Sequence, residues 1–428
     1  MKHINSKAGN VLFWSVISAA FIGPGTVTTA ASAGASFGLA LLWGLLFASL
    51  ACIILQEQAA RLTLVGQQNL GQVLLHQFKT AWVARLVSFA IVVGCAAYQA
   101  GNILGAVAGL QLLWDIPASI AAPLVAAAGS LFLWQGTPQT VAKSMGMVVA
   151  LMGLMFGWLA WQTSHSIGEW LQGLLIPQLP EGSLLLLMGL LGTTIVPYNL
   201  FLASGIGQEQ SIGEMRQGIS IAVSLGGAVS IAILATGTFL KEPFQFVAFA
   251  RAIGANTGPL GVWLFAGGLF AAGFSSSITA PLAAAITLQS TSKSIFSPTH
   301  FRLTWGSVMF FGLIFGCLEI KPVPIIIAAQ ALNGMLLPFM AALLLLAVNN
   351  PRLLPKNHRN GTWSNLAGIA VLWVCTLLGV QNIIKAMQTI FEWKLATPFT
   401  TGLAVLTGSL LTLAIAWQIR RERLVPYQ

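Results

Sequence analysis

The chain has 428 residues, 56% hydrophobic and 7% charged, with a formal net charge of +10. So few charges cannot solvate a soluble globule of this size, which excludes a water-soluble enzyme and places the chain in lipid. The excess of basic residues could also suit nucleic acid, so their positions decide what the charge means.

Crossing the hydrocarbon takes about 20 apolar residues in a helix. Twelve such stretches follow one another at 11 to 34, 38 to 61, 83 to 110, 116 to 134, 142 to 162, 183 to 207, 217 to 240, 259 to 291, 302 to 318, 322 to 348, 364 to 386 and 398 to 418. The first holds Gly23-Pro24-Gly25-Thr26 near its middle, and the sixth holds Val196-Pro197-Tyr198-Asn199. Proline at that depth opens backbone groups that only protein or a water-filled cavity can satisfy. The connections at 163 to 182, 241 to 258 and 349 to 363 read as loops with no room for an appended domain. The first span has no small-residue cleavage site and reads as retained.

With the amino terminus inside, fifteen of the twenty Lys and Arg fall on cytoplasmic loops and tails, leaving Lys241, Arg251, Lys321, Lys385 and Lys394 outside. That bias reports orientation rather than a nucleic-acid partner. The basic run Arg420-Arg421-Glu422-Arg423 belongs inside as well, so both termini are cytoplasmic and the span count is even. Five spans precede the connection at 163 to 182 and five more end near Val348, each group opening on a proline break. Five is odd, so the second group enters from the opposite side. The plan is one transmembrane domain of inverted repeats, 11 to 162 and 183 to 348, with peripheral helices at 364 to 418.

Thr26, Thr28, Thr29 and Ser32 flank the first break, and Thr193, Thr194, Tyr198, Asn199 and Ser204 the second. They read as a midplane solute site with helix ends of either sign; the alternative is packing kinks whose hydroxyls bond back to their own helix. Tyr98, Gln99 and Asn102 in span three, Ser275 to Ser277 and Thr279 in span eight, and Gln330 and Asn333 in span ten line the pathway or bridge helices. Cys52, Cys95, Cys317 and Cys375 lie singly and read as core packing. Asp115 is the only aspartate and sits at a span end, Glu57 and Glu319 are near ends, and every histidine maps to a tail or loop. A proton relay or a site for a bare divalent cation needs carboxylates or imidazoles inside the membrane.

At these residues the chain resembles the Nramp family of divalent-metal transporters. The likeness runs from about residue 11 to 353 and is strongest at Phe21 to Trp43, Val196 to Leu202, Gly273 to Ala285 and Ile325 to Pro338. The resemblance implies an all-α, LeuT-like five-plus-five fold with two extra helices, in a bacterial inner membrane. It implies substrate positions at Ala20, Gly23, Thr26, Thr193, Val196, Tyr198, Asn199 and Gln330, the first and fourth through backbone carbonyls. Gln99, Asn102, Ser276, Thr279 and Asn333 are the pathway or coupling candidates.

The family signature Asp-Pro-Gly-Asn reads here Gly23-Pro24-Gly25-Thr26, and Met-Pro-His reads Val196-Pro197-Tyr198. In span three, acidic positions linked to proton movement read Gln99 and Asn102. Carbonyls and a threonine replace the water shell of a divalent ion poorly, and selection of Mn or Fe loses its soft sulfur. The expectation is therefore a secondary transporter of a neutral or zwitterionic solute or a hydrated cation, without proton coupling of the family kind. A divalent-metal transporter with an altered site, and a channel or facilitator, are the alternatives. No cofactor, assigned metal ligand or nucleic-acid partner is expected. The partners are the bilayer and the solute, and a monomer is compatible with the plan.

Overall fold

The computed structural model describes residues 22–77, 81–135, 138–206, 211–292, 296–318, 320–391 and 396–423. Ala20, Glu319 and the amino half of the first expected span lie outside the described residues. Those described form helices and no strand, as lipid demands of backbone that must satisfy its own hydrogen bonds. Among them, nine helices are long and apolar enough to cross a membrane.

In chain order the helices are α1 (Pro24–Phe37), α2 (Leu42–Gly66), α3 (Leu70–Gln77), α4 (Ala81–Gln111) and α5 (Ala118–Gln135). Next come α6 (Pro138–Trp161), α7 (Ile167–Leu175), α8 (Leu184–Thr194), α9 (Pro197–Ile206) and α10 (Ile212–Gly237). The rest are α11 (Phe246–Thr291), α12 (Pro298–Cys317), α13 (Pro322–Ala347), α14 (Thr362–Phe391) and α15 (Thr397–Arg423). Span six is thus two half-helices, α8 and α9, parted at Ile195 and Val196.

Two connections expected as loops contain α-helices, and the third, 349 to 363, holds a short 3-10 helix at Lys356–His358. Residues 167–175 are α7, started by a capping box in which Ser166 and Glu169 satisfy each other's backbone N–H groups. Residues 246–257 are the first arm of α11, which turns at Gly258, φ 70°, before Pro259 begins the expected eighth span. Phe246, Phe249, Ala250 and Ile253 form the buried stripe of that arm, at helical spacing. Phe249 meets Phe244, Phe156 and Phe265 at centroid distances of 5.3, 5.9 and 5.4 Å.

The apolar interior is divided. One core gathers Leu55, Ile91, Ala284 and Leu344 from the ends of α2, α4, α11 and α13 that carry or adjoin Arg61, Arg85 and Arg352. A second, toward the opposite end, gathers Leu104, Phe156, Phe249 and Leu269. Val196 and Tyr198 belong to the first core, and Ile22 and Val27 to the second. Both proline breaks therefore lie at the seam.

Reciprocal glycines let the helices around this seam approach closely. A Cβ on Gly192 of α8 would collide with the carbonyl oxygen of Gln330 on α13, and one on Gly334 of α13 would come 2.6 Å from the Met188 oxygen. Gly34 and Gly237 do the same between α1 and α10, against the carbonyl oxygens of Leu234 and Ala31. The polar residues of α1, α8 and α13 are consequently held within reach of one another.

Candidate functional site

At the first break, Gly23 is extended (φ −101°, ψ 177°) and Pro24 takes the first helical position, where its missing N–H costs nothing. At the second, α8 ends on four carbonyls that a continuing helix would have satisfied. Leu191 keeps its bond from Ile195 N–H at 2.8 Å. The carbonyl of Gly192 accepts from the Tyr98 hydroxyl, and that of Thr194 from the Cys52 thiol at 3.4 Å. Residue 197 should have served Thr193, but it is proline and has no N–H. Among the described residues no hydrogen bond reaches the Thr193 carbonyl.

The two breaks meet through side chains. Thr26 Oγ1 and Thr193 Oγ1 lie 2.8 Å apart. Gln330, 1% exposed, seats its amide against Gly25, where a Cβ would collide with Nε2. Thr29 faces α8, with Cγ2 2.8 Å from where a Gly189 Cβ would stand. Tyr198 stands edge-on to Tyr98, centroids 5.5 Å apart. Ser276 is beside the first break, 3.5 Å from the position of a Gly23 Cβ.

Several buried polar atoms here have no hydrogen-bond partner among the described residues: Thr28 Oγ1, Thr29 Oγ1, Ser32 Oγ, Asn199 Nδ2 and Gln330 Oε1. Hydroxyls bonded back to their own helix are found instead at Thr194, on Leu190 O at 2.9 Å, and at Thr279, on Ser276 O at 3.3 Å. A buried polar group without a partner costs about 1–3 kcal/mol, a cost that water or a solute reaching the cluster would offset.

Other predicted pathway residues sit apart. Gln99 donates to Ser277 O at 3.0 Å and Met309 Sδ at 3.1 Å, between α4, α11 and α12. Its Oε1 and the Nδ2 of nearby Asn102 have no partner among the described residues. Asn333 donates to Gly94 O at 3.3 Å and to Ala329 O at 3.0 Å, which ties α13 to α4. Cys52 reads from sequence as core packing, since nothing local marks its thiol as a donor to a broken helix.

Among the described residues no charged side chain enters the seam. Among the described residues no three of His, Cys, Asp or Glu come together as a metal-binding group. The site's electrostatics are those of helix ends: the starts of α1 and α9 bring partial positive charge, and the end of α8 partial negative. Glu57 lies elsewhere, bridging Arg61 at 3.0 Å and Arg216 at 2.9 Å at the basic ends of α2 and α10.

A profile of the family described as natural resistance-associated macrophage protein-like, Nramp, matches residues 15–385. The chain belongs to the Nramp family. It is 26% identical over 400 residues to a divalent metal cation transporter MntH of Verminephrobacter eiseniae, covering 87% of this chain and 88% of that one. To the MntH of Bacillus subtilis it is 28% identical over 297 residues, 64% of this chain and 69% of the relative. Crystal structures of the Eremococcus coleocola manganese transporter superpose with a TM-score of 0.75 at 18% identity, over 99% of this chain and 97% of theirs. A nucleobase-cation-symport-1 family transporter in a closed conformation gives 0.60 at 16% identity, over 97% and 95%. Those likenesses show the LeuT-like transporter fold. As a member of a transporter family rather than of an enzyme family, the protein is integral to the plasma membrane and moves ions or small solutes.

Proposed function

We propose that the protein is a secondary transporter working by alternating access, with its solute held at the seam between spans one and six. Twelve spans, inverted repeats at 11 to 162 and 183 to 348, peripheral helices at 364 to 418 and cytoplasmic termini complete this reading. The contacts are Ala20, Gly23, Thr26, Thr193, Val196, Tyr198, Asn199 and Gln330. The observation that carries it is the 2.8 Å bond between Thr26 and Thr193, which joins the two breaks among uncharged polar groups, several of them without a hydrogen-bond partner among the described residues.

A neutral or zwitterionic small solute, or a cation keeping its water, matches that chemistry: amides, hydroxyls, one open carbonyl and helix ends of both signs. Gln99 and Asn102 offer no titratable group for coupling to protons of the family kind. A divalent metal is the second reading, favoured by the MntH names of the relatives.

Calorimetric titration of the purified chain with Mn²⁺, Cd²⁺ and Mg²⁺, beside a thermal-shift screen of amino acids and small organics, separates the two. The neutral-site reading expects no Mn²⁺ heat and a stabilising organic. Micromolar Mn²⁺ binding that disappears in Asn199→Ala or Gln330→Ala overturns it.

A further inference from the structure

A helix that stops inside a membrane must dispose of its last four carbonyls, and at α8 the disposal is selective. Leu191 is served by backbone, Gly192 by the Tyr98 hydroxyl from α4, and Thr194 by the Cys52 thiol from α2. Thr193 lies between the two side-chain caps and has none among the described residues. Both caps come from helices outside the broken pair, and Tyr98, Cys52 and Thr194 are all buried.

We propose that Tyr98 and Cys52 are positioning residues for the solute site: they occupy the two flanking carbonyls so that the broken turn offers a single acceptor, the Thr193 oxygen. This rests on the seam being the solute site. Without the caps, the Gly192 and Thr194 oxygens would be open too, and the turn would draw in water or wind further toward Val196 to satisfy them. Either change moves Thr193, whose hydroxyl bonds Thr26 across the seam. The acceptor selects a solute that brings a hydrogen-bond donor or a cation to this point.

Cysteine gives a readout that needs no solute, because S–H stretching absorbs where other protein groups do not. An infrared difference between the parent and Cys52→Ala, both full-length in nanodiscs, isolates the Cys52 band. It should lie at lower frequency than the remaining thiols, and Tyr98→Phe should shift it as the turn relaxes. A Cys52 band that coincides with the others, or that ignores Tyr98→Phe, overturns the capping.

The functional arm is uptake of radiolabelled Mn²⁺ and of a labelled neutral amino-acid mixture into proteoliposomes. Tyr98→Phe should raise the half-saturating concentration of whichever is carried about fivefold, the scale of one hydrogen bond, with maximal rate little changed. Cys52→Ser, which keeps a donor, should behave as the parent, and Cys52→Ala should follow Tyr98→Phe. A loss of maximal rate alone, or equal behaviour of Ser and Ala, overturns the positioning role. If the parent carries neither probe, the transport reading of the seam fails for those solutes, and the infrared band still decides the caps.

Discussion

Thr26 and Thr193, 167 residues apart in sequence, share a buried hydrogen bond of 2.8 Å between their hydroxyl oxygens. Replacing either by Val removes the bond across the seam, so each single variant should lose about 1–2 kcal/mol of stability. The double variant removes both polar groups and should lose less than the sum. Thermal unfolding of the four proteins in one detergent gives the coupling; strict additivity would mean the bond holds nothing together.

Two glycines against the same residue should respond differently to Ala. At Gly25 the new methyl meets the Gln330 amide, the far end of a flexible side chain, so the protein should fold with Gln330 displaced and solute binding weakened. At Gly192 it meets the Gln330 backbone oxygen, and α8 and α13 must separate. Gly192→Ala should therefore cost at least about 1–3 kcal/mol. Size-exclusion profiles and melting temperatures side by side check the order.

Among the described residues only Ser276 Oγ comes near the missing Cβ of Gly23, at ordinary contact distance, so a Cβ can be added there. Gly23→Asp combined with Thr26→Asn should create Mn²⁺ binding measurable by calorimetry and absent from the parent. Failure of the pair to bind would show that more than the ligands has changed.

Arg61 is 4% exposed and donates to the His358 oxygen at 2.7 Å, to Glu57 and to Asn360. Arg61→Ala takes the donor from the His358 oxygen and one of the two cations from Glu57, which keeps Arg216, and should destabilise by about 1.5–3 kcal/mol. The Arg216 side chain is 56% exposed, and its loss should cost no more than about 1 kcal/mol. Equal effects on melting temperature would contradict this ranking.

Glu169 is held below the usual carboxylate range, first by the Ser166 backbone N–H and then by its hydroxyl. A lowered folded value means that the cap's contribution is complete above the unfolded pKa and is lost as pH falls through the folded one. Hydrogen exchange in α7 should quicken in acid relative to neighbouring helices, and Glu169→Gln should remove the difference.

Hydropathy reads the long helices well because length and apolarity are local properties: the third expected span, 83 to 110, appears as Ala81–Gln111. Pro197 announced its break for the same reason. The Ser166–Glu169 cap is visible in the sequence but lies inside a polar connection, and the arm at 246–257 is masked by Gly254, Gly258 and Pro259, which imitate a long turn. Tyr98 and Gln99 are adjacent in sequence and look like one cluster there. A helix turns 100° per residue, so Tyr98 reaches α8 while Gln99 reaches α11 and α12. The Cys52 contact with Thr194 depends on tertiary packing across 142 residues and has no local signature.

The uncharged seam also has an electrical meaning. Membrane voltage does work only on charge, about 2.3 kcal/mol per elementary charge per 100 mV. Neither break, from Gly23 to Ser32 or from Thr193 to Asn199, contains a charged side chain. On the proposed reading of the seam, the field finds there the partial charges of helix ends and the passenger but no charged side chain of either break, so a current carried through it would follow mainly the charge of the cargo.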